Sequence, residues 1–234
     1  MNNNLLQIKV KQRLNKLDSK DYDNIQCWQI VEAFNKAQVE WCRRQLVGTN
    51  ILKQGDEQSK RRVDDLEILL KTAPLTLLHV KLYEESSLLP ADFMEFKRLE
   101  VYATSECCTD PRLMTVYLTE EANVVNSLKD DNKKPSFEWG ETFNTLIGNK
   151  IRIYTNNDFT VSSAALMYYK QPELIQILNC VDPGTGVPST VDTPSQFKDD
   201  IVEVMIDDTV AILAGDIEAM NQFSRESQAA EKNN

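Results

Sequence analysis

Between Asp23 and Gly48 the chain carries one uninterrupted amphipathic pattern, DNIQCWQIVEAFNKAQVEWCRRQLVG. Trp28, Val31, Phe34, Ala37 and Trp41 recur three or four residues apart, which places them on one face of a helix with 3.6 residues per turn. An Asp stands at the start, Arg43 and Arg44 lie in the last turn, and Gly48 follows, as expected for the two ends of a helix and its dipole. A face bearing two tryptophans and a phenylalanine has to be covered, so this helix constrains everything that folds around it.

Helical periodicity recurs at both ends of the chain. Leu6, Val10, Leu14 and Leu17 form a stripe over Asn4 to Leu17, and Val63, Leu66, Leu69 and Leu70 predict a further helix from Ser59 to Thr72, ended by Pro74. Near the C-terminus, Ile201, Met205 and Ile212 adjoin a second stripe of Val202, Ile206, Val210, Leu213, Ile217 and Met220, giving a final helix with a wide apolar face. From Leu75 the pattern changes to short β-branched and aromatic runs broken by Pro, Asp, Asn and Gly. Strands are expected at Leu75 to Tyr83, Arg98 to Thr104, Leu113 to Leu118, Lys150 to Tyr154 and Ala164 to Tyr168, with Asn156-Asn157-Asp158 as a hairpin connection. Thr119-Glu120-Glu121 opens a short helix through Leu128.

The resulting expectation is an α+β subunit. Helices from residues 1–74 and 173–234 form a bundle, and residues 75–172 are a β-rich insertion. Residues 173–234 also contain a Pro- and Gly-rich connector and a tail beyond Phe223 without apolar period.

Net charge is −10 and becomes more negative along the chain: residues 182–234 hold 3 Lys and Arg against 11 Asp and Glu. Such a surface repels a phosphate backbone, which argues against a sequence-reading nucleic-acid binder. No apolar run approaches the roughly 20 residues needed to cross a bilayer. The N-terminus mixes basic and apolar residues rather than setting one before the other, so intracellular synthesis without a signal peptide is expected.

Chemistry-bearing residues are sparse. Five cysteines, Cys27, Cys42, Cys107, Cys108 and Cys180, are odd in number and form no CxxC pair, and His79 is the single histidine. Cys27 and Cys42 fit small buried hydrophobes, Cys107-Cys108 a reduced surface pair, and His79 a structural residue in an alternating apolar segment. The doublets Asp64-Asp65, Asp130-Asp131, Asp199-Asp200 and Asp207-Asp208 point about 100° apart on a helix, which suits solvated faces better than ligands converging on an ion. No phosphate-binding glycine motif is present. The expectation is no enzyme, no catalytic residues, no metal and no cofactor.

Four stretches carry a family likeness: NIQCWQIVEAFNKAQVEWCRRQL, SLLPADFMEFKRLEV, ALMYYKQP and FKDDIVEVMIDDTVAILAGDIEAM. In their order and spacing the chain resembles the head-to-tail connector proteins of tailed bacteriophages, the adaptor or ring proteins below the portal, particularly those of short-tailed crAss-like phages. The resemblance implies a virion protein at the head-tail junction, made in the bacterial cytoplasm, with a homomeric ring of about twelve copies as its assembled state. Its implied partners are its own copies, the portal protein, other tail or ring proteins, and DNA that passes through the channel without specific binding; no membrane is involved. An acidic lumen would let the duplex slide. The resemblance also suggests Ile217, Met220, Phe223 and Arg225 as docking residues. Another tail component, a stopper or gatekeeper, and a small cytoplasmic enzyme using His79 or the vicinal cysteines are the alternatives.

Overall fold

The computed structural model describes residues 1–15, 25–47, 65–106 and 108–216. They divide into two compact units, one drawn from Met1–Ile68 and Pro172–Asn234, the other Leu69–Gln171.

The second unit is an eight-stranded mixed sheet: β1 Leu70–Leu75, β2 Leu77–Val80, β3 Tyr83–Ser86, β4 Phe93–Ser105, β5 Cys108–Leu118, β6 Glu141–Ile147, β7 Lys150–Tyr154 and β8 Thr160–Lys170. Their order across the sheet is β1-β8-β4-β5-β6-β7-β3-β2. β1 and β2 are the two edge strands, yet only Thr76 separates them in sequence, so the sheet must curl until its edges meet at that residue. The long strand β5 makes the opposite corner. Its first half pairs antiparallel with β4, as in Val101 with Met114, and its second half pairs parallel with β6, as in Thr115 with Glu141.

Inside the curl, alternate residues of the strands meet. Leu99, Val101, Ala103, Met114, Ile151, Ile153, Ala164 and Leu166 are buried together with Phe137 and Phe159, as the period of two along a strand requires. A short helix, α3 Val124–Lys129, entered through a 3₁₀ turn at Glu121–Asn123, lies over the other face of the β6-β7 region. There Val124 packs with Phe143 and Tyr154, whose rings stack at 4.7 Å.

The other unit holds α1 Asn3–Asn15, α2 Cys27–Val47 and α4 Asp199–Asp216. Leu6, Val10 and Leu14, spaced by four, are the buried stripe of α1. α4 is buried on two sides, through Ile201, Val202, Met205, Ile206, Val210 and Leu213, and packs against both α1 and α2. Ion pairs flank these contacts: Lys9 with Glu203 and Arg13 with Asp207 on the α1 side, Arg44 with Asp208 on the α2 side. Trp41 of α2 meets Phe197 edge-on at 5.5 Å, just before α4.

These arrangements overturn the expected helical bundle with an inserted β-rich region. The curled eight-stranded sheet is a compact unit of its own, and helices alone do not close the apolar face of α2. An irregular strap, residues 172–198, runs beside it. Gln38 donates to the Glu173 carbonyl at 2.8 Å, and Asn35 accepts from the Ile175 amide at 2.8 Å while donating to its carbonyl at 3.3 Å. Side-chain amides thus satisfy backbone groups that a helix would have satisfied internally.

Two local expectations also change. Of the helix predicted over Ser59 to Thr72, residues 59–64 lie outside the described residues; Asp65 and Leu66 are helical, but Glu67–Leu69 is a 3₁₀ turn and Leu70 onward is strand. Pro74 sits in edge strand β1, where a missing N–H is tolerated, rather than ending a helix. The Asn156-Asn157 turn, with both residues at positive φ, joins β7 to β8, but these strands do not pair. It carries the chain between two parts of the sheet and is not a hairpin.

Candidate functional site

The strap doubles back on itself. Gln176 exchanges both backbone hydrogen bonds with Thr193, at 2.8 and 3.1 Å, and Val181 bridges to Pro188 around a turn at Asp182–Gly186. The sequence DPGTG builds that turn. Asp182 Oδ1 accepts from the Gly184 amide at 2.7 Å, the Asp182 carbonyl accepts from the Gly186 amide at 2.8 Å, and Gly186 takes φ +68°, a conformation favoured by glycine. A disulfide between Cys27, at the first turn of α2, and Cys180 pins the strap, with Cα atoms 5.7 Å apart.

Between the turn and the N-terminal part of α2 lies a cleft of about 550 Å³. Trp28, Val31 and Glu32 line one wall; Ile177, Asp182, Pro183, Val187 and Pro188 line the other, with Thr185, Ser189 and Thr190 at its polar margin. Trp28 and Glu32 are one helical turn apart and share a face. The walls therefore offer an indole, aliphatic and proline surfaces, and a carboxylate on each side; no lysine, arginine or histidine is among the described lining residues. Cys180 is consumed in the disulfide.

The strap exposes five aliphatic side chains, Leu174, Leu178, Val181, Val187 and Val191, at 46–61% of full exposure. A separate exposed apolar surface lies on the sheet unit. Tyr102 and Leu113 are directly opposite across β4 and β5, and Tyr117 follows on the same face of β5. Their neighbours Val101 and Met114 point the other way, into the core.

The sequence-predicted residues fall as follows. Ile217, Met220, Phe223 and Arg225 lie outside the described residues, as does Cys107. His79 is on edge strand β2, its side chain 61% exposed and its Nδ1 2.9 Å from Oε1 of the buried Glu84. Cys42 is fully buried, and burial pushes its thiol up to about 12, so it is unreactive. Cys27 is not the free buried thiol expected: it is half of the disulfide.

Of the carboxylate doublets, Asp64 of Asp64-Asp65 lies outside the described residues, and each of the other three has a member that faces a cation. Asp199 meets the N-terminal amine, Asp131 meets Lys134 at 2.6 Å, and Asp207 and Asp208 meet arginines. Among the described residues no three ligating side chains converge, and no helix is long and apolar enough to cross a membrane. Sequence reasoning missed the cleft. The two signals for it were Cys27 and Cys180, 153 residues apart, and the tight turn that follows Cys180.

No known protein family matches this sequence, and no curated protein does.

Proposed function

We propose that this chain is a structural subunit of a homomeric ring in the head-to-tail connector of a tailed bacteriophage, placed between the portal and the next tail component. The observation that carries the reading is the pair of unlike apolar surfaces, one on each unit: the Tyr102-Leu113-Tyr117 face of the sheet and the aliphatic strap around Leu174, Leu178 and Val187. A cyclic ring repeats one heterologous contact, so every subunit needs two different complementary faces. Contiguous exposed apolar surface of this kind marks contact sites. The likeness of four ordered stretches to connector proteins supplies the setting, and the channel of such a ring passes DNA without gripping it.

Co-expression with the portal protein tests the reading. Light scattering and negative-stain images are expected to show a closed ring near twelve subunit masses on the portal. A chain that remains monomeric at all concentrations with portal present would refute it.

A further inference from the structure

The geometry points to the cleft between α2 and the strap as a docking site for a segment of a partner polypeptide that presents an arginine or lysine beside an apolar side chain. The inference rests on the ring reading for the strap as a contact surface, and it adds the chemistry of the anchor that this surface takes.

Charge complementarity selects the occupant. Glu32 on α2 and Asp182 on the strap place a carboxylate on each wall, and none of the described lining residues supplies a positive charge. Trp28 is half-buried in the cleft, and an indole face is the best aromatic surface for a cation. Val31, Ile177 and Pro183 supply the apolar contact that the stem of a lysine or arginine, or a neighbouring side chain, covers. An uncharged apolar ligand would leave both carboxylates facing it, and an anion would be repelled.

Size and surroundings select a polypeptide over a small amine. The cleft, at about 550 Å³, is larger than a single small amine would fill. The strap also exposes five aliphatic side chains, one of which, Val187, lines the cleft itself. A half-buried tryptophan beside exposed aliphatic side chains is the kind of anchor point at which interfaces concentrate binding energy. The site is also preorganised: the disulfide holds Cys180 against the start of α2, and the Asp182 carboxylate is fixed by the Gly184 amide. Less ordering is therefore required when a partner binds.

The test uses the oxidised full-length chain, ¹⁵N-labelled, titrated with the synthetic peptide acetyl-Gly-Phe-Arg-Leu-Gly-amide at millimolar concentration. Chemical-shift changes are expected at the Trp28 indole and at the amides of Asp182 to Ser189. Replacing the peptide's arginine by glutamine is expected to weaken binding about fivefold or more, as is Glu32→Lys in the protein. Glu32 is exposed, so this variant keeps its fold; Asp182→Asn, which retains an oxygen for the Gly184 amide, is a second variant with the same expected direction. Equal binding of the glutamine peptide, shift changes confined to other surfaces, or no binding would overturn the inference. So would argininamide alone binding as tightly as the peptide, which would make the cleft a small-cation site. The isolated subunit reports these outcomes whether or not rings form, so failure here is distinct from failure of the ring reading.

Discussion

The Tyr168 hydroxyl donates to Asp92 Oδ1 at 2.8 Å, while Lys71 meets the other oxygen of the same carboxylate at 2.7 Å. One side chain thus ties β8, through Tyr168, and edge strand β1, through Lys71, to the turn that opens β4. The hydrogen bond from Lys71 holds Asp92 below the usual carboxylate range, and burial, together with Asp92, pushes Tyr168 up to about 12. A depressed carboxylate stabilises the fold above its unfolded pKa, and that contribution is lost as pH falls through the folded value. A raised phenol acts in the opposite direction: its contribution is present below pH 10 and is lost as pH rises toward 12. Tyr168→Phe is expected to flatten the alkaline limb of stability against pH, and Asp92→Asn the acid limb. Thermal denaturation from pH 3 to pH 11 checks both.

Asp208 responds to pH with the reverse sign. Burial raises its pKa; Arg44 opposes that shift, and the charges of Glu40 and Asp207 reinforce it. A carboxyl whose folded pKa is raised stabilises the fold below its unfolded value and loses that contribution as pH rises. Removing Arg44 leaves a carboxylate that is 8% exposed without this partner. Arg44→Ala is therefore expected to cost about 1–3 kcal/mol at pH 7, a buried-pair loss reduced by the partial exposure of Arg44. Part of the loss should be recovered on acidification to pH 5. Arg44→Ala combined with Asp208→Asn is expected to be more stable than Arg44→Ala alone. Urea denaturation at the two pH values measures all three variants.

How far the fold can be read from sequence depended on whether buried positions were apolar. Leu6, Val10 and Leu14 announced α1, and the alternation in Lys150–Tyr154 gave β7 at its full extent. Strand β6 escaped notice because Thr142, Asn144 and Thr145 are polar and yet buried, with Thr142 Oγ1 donating to the Tyr154 carbonyl at 2.5 Å. Periodicity cannot announce such a strand, since it reads as a loop. The α2 stripe was legible but slightly rotated: Phe34, Ala37 and Trp41 are buried, whereas Trp28 and Val31 turn toward the cleft and Ile30 and Gln38 go inside. The strap set that rotation through contacts with residues more than 130 positions away, such as Gln38 with Glu173. No local pattern encodes them, and the candidate site was invisible for the same reason.

The Cys27–Cys180 bond closes a loop spanning 153 residues of sequence. Cross-linking across so long a loop restricts the unfolded chain, with a typical gain of about 2–4 kcal/mol. Dithiothreitol is expected to lower the melting temperature of the wild-type protein toward that of Cys27→Ser/Cys180→Ser, and to leave the double variant unchanged. Calorimetry with and without reductant checks this; identical melting of wild type in both conditions would show that the bond contributes nothing to stability.

Leu113 and Ile153 occupy opposite faces of the same sheet unit, which allows folding and assembly to be separated. Ile153 is fully buried, and Ile153→Ala removes buried methyl groups and leaves a cavity, so it is expected to cost about 2–5 kcal/mol. Leu113 is 57% exposed beside Tyr102, and Leu113→Lys is expected to change subunit stability by no more than about 0.5 kcal/mol. If the outer face is one of the two ring contacts, that lysine places a charge in an apolar interface without a partner and should prevent closure on the portal. Urea midpoints of the isolated subunit and ring counts with portal present measure the two effects independently. A Leu113→Lys subunit that folds and still closes rings would remove the sheet face from the contact.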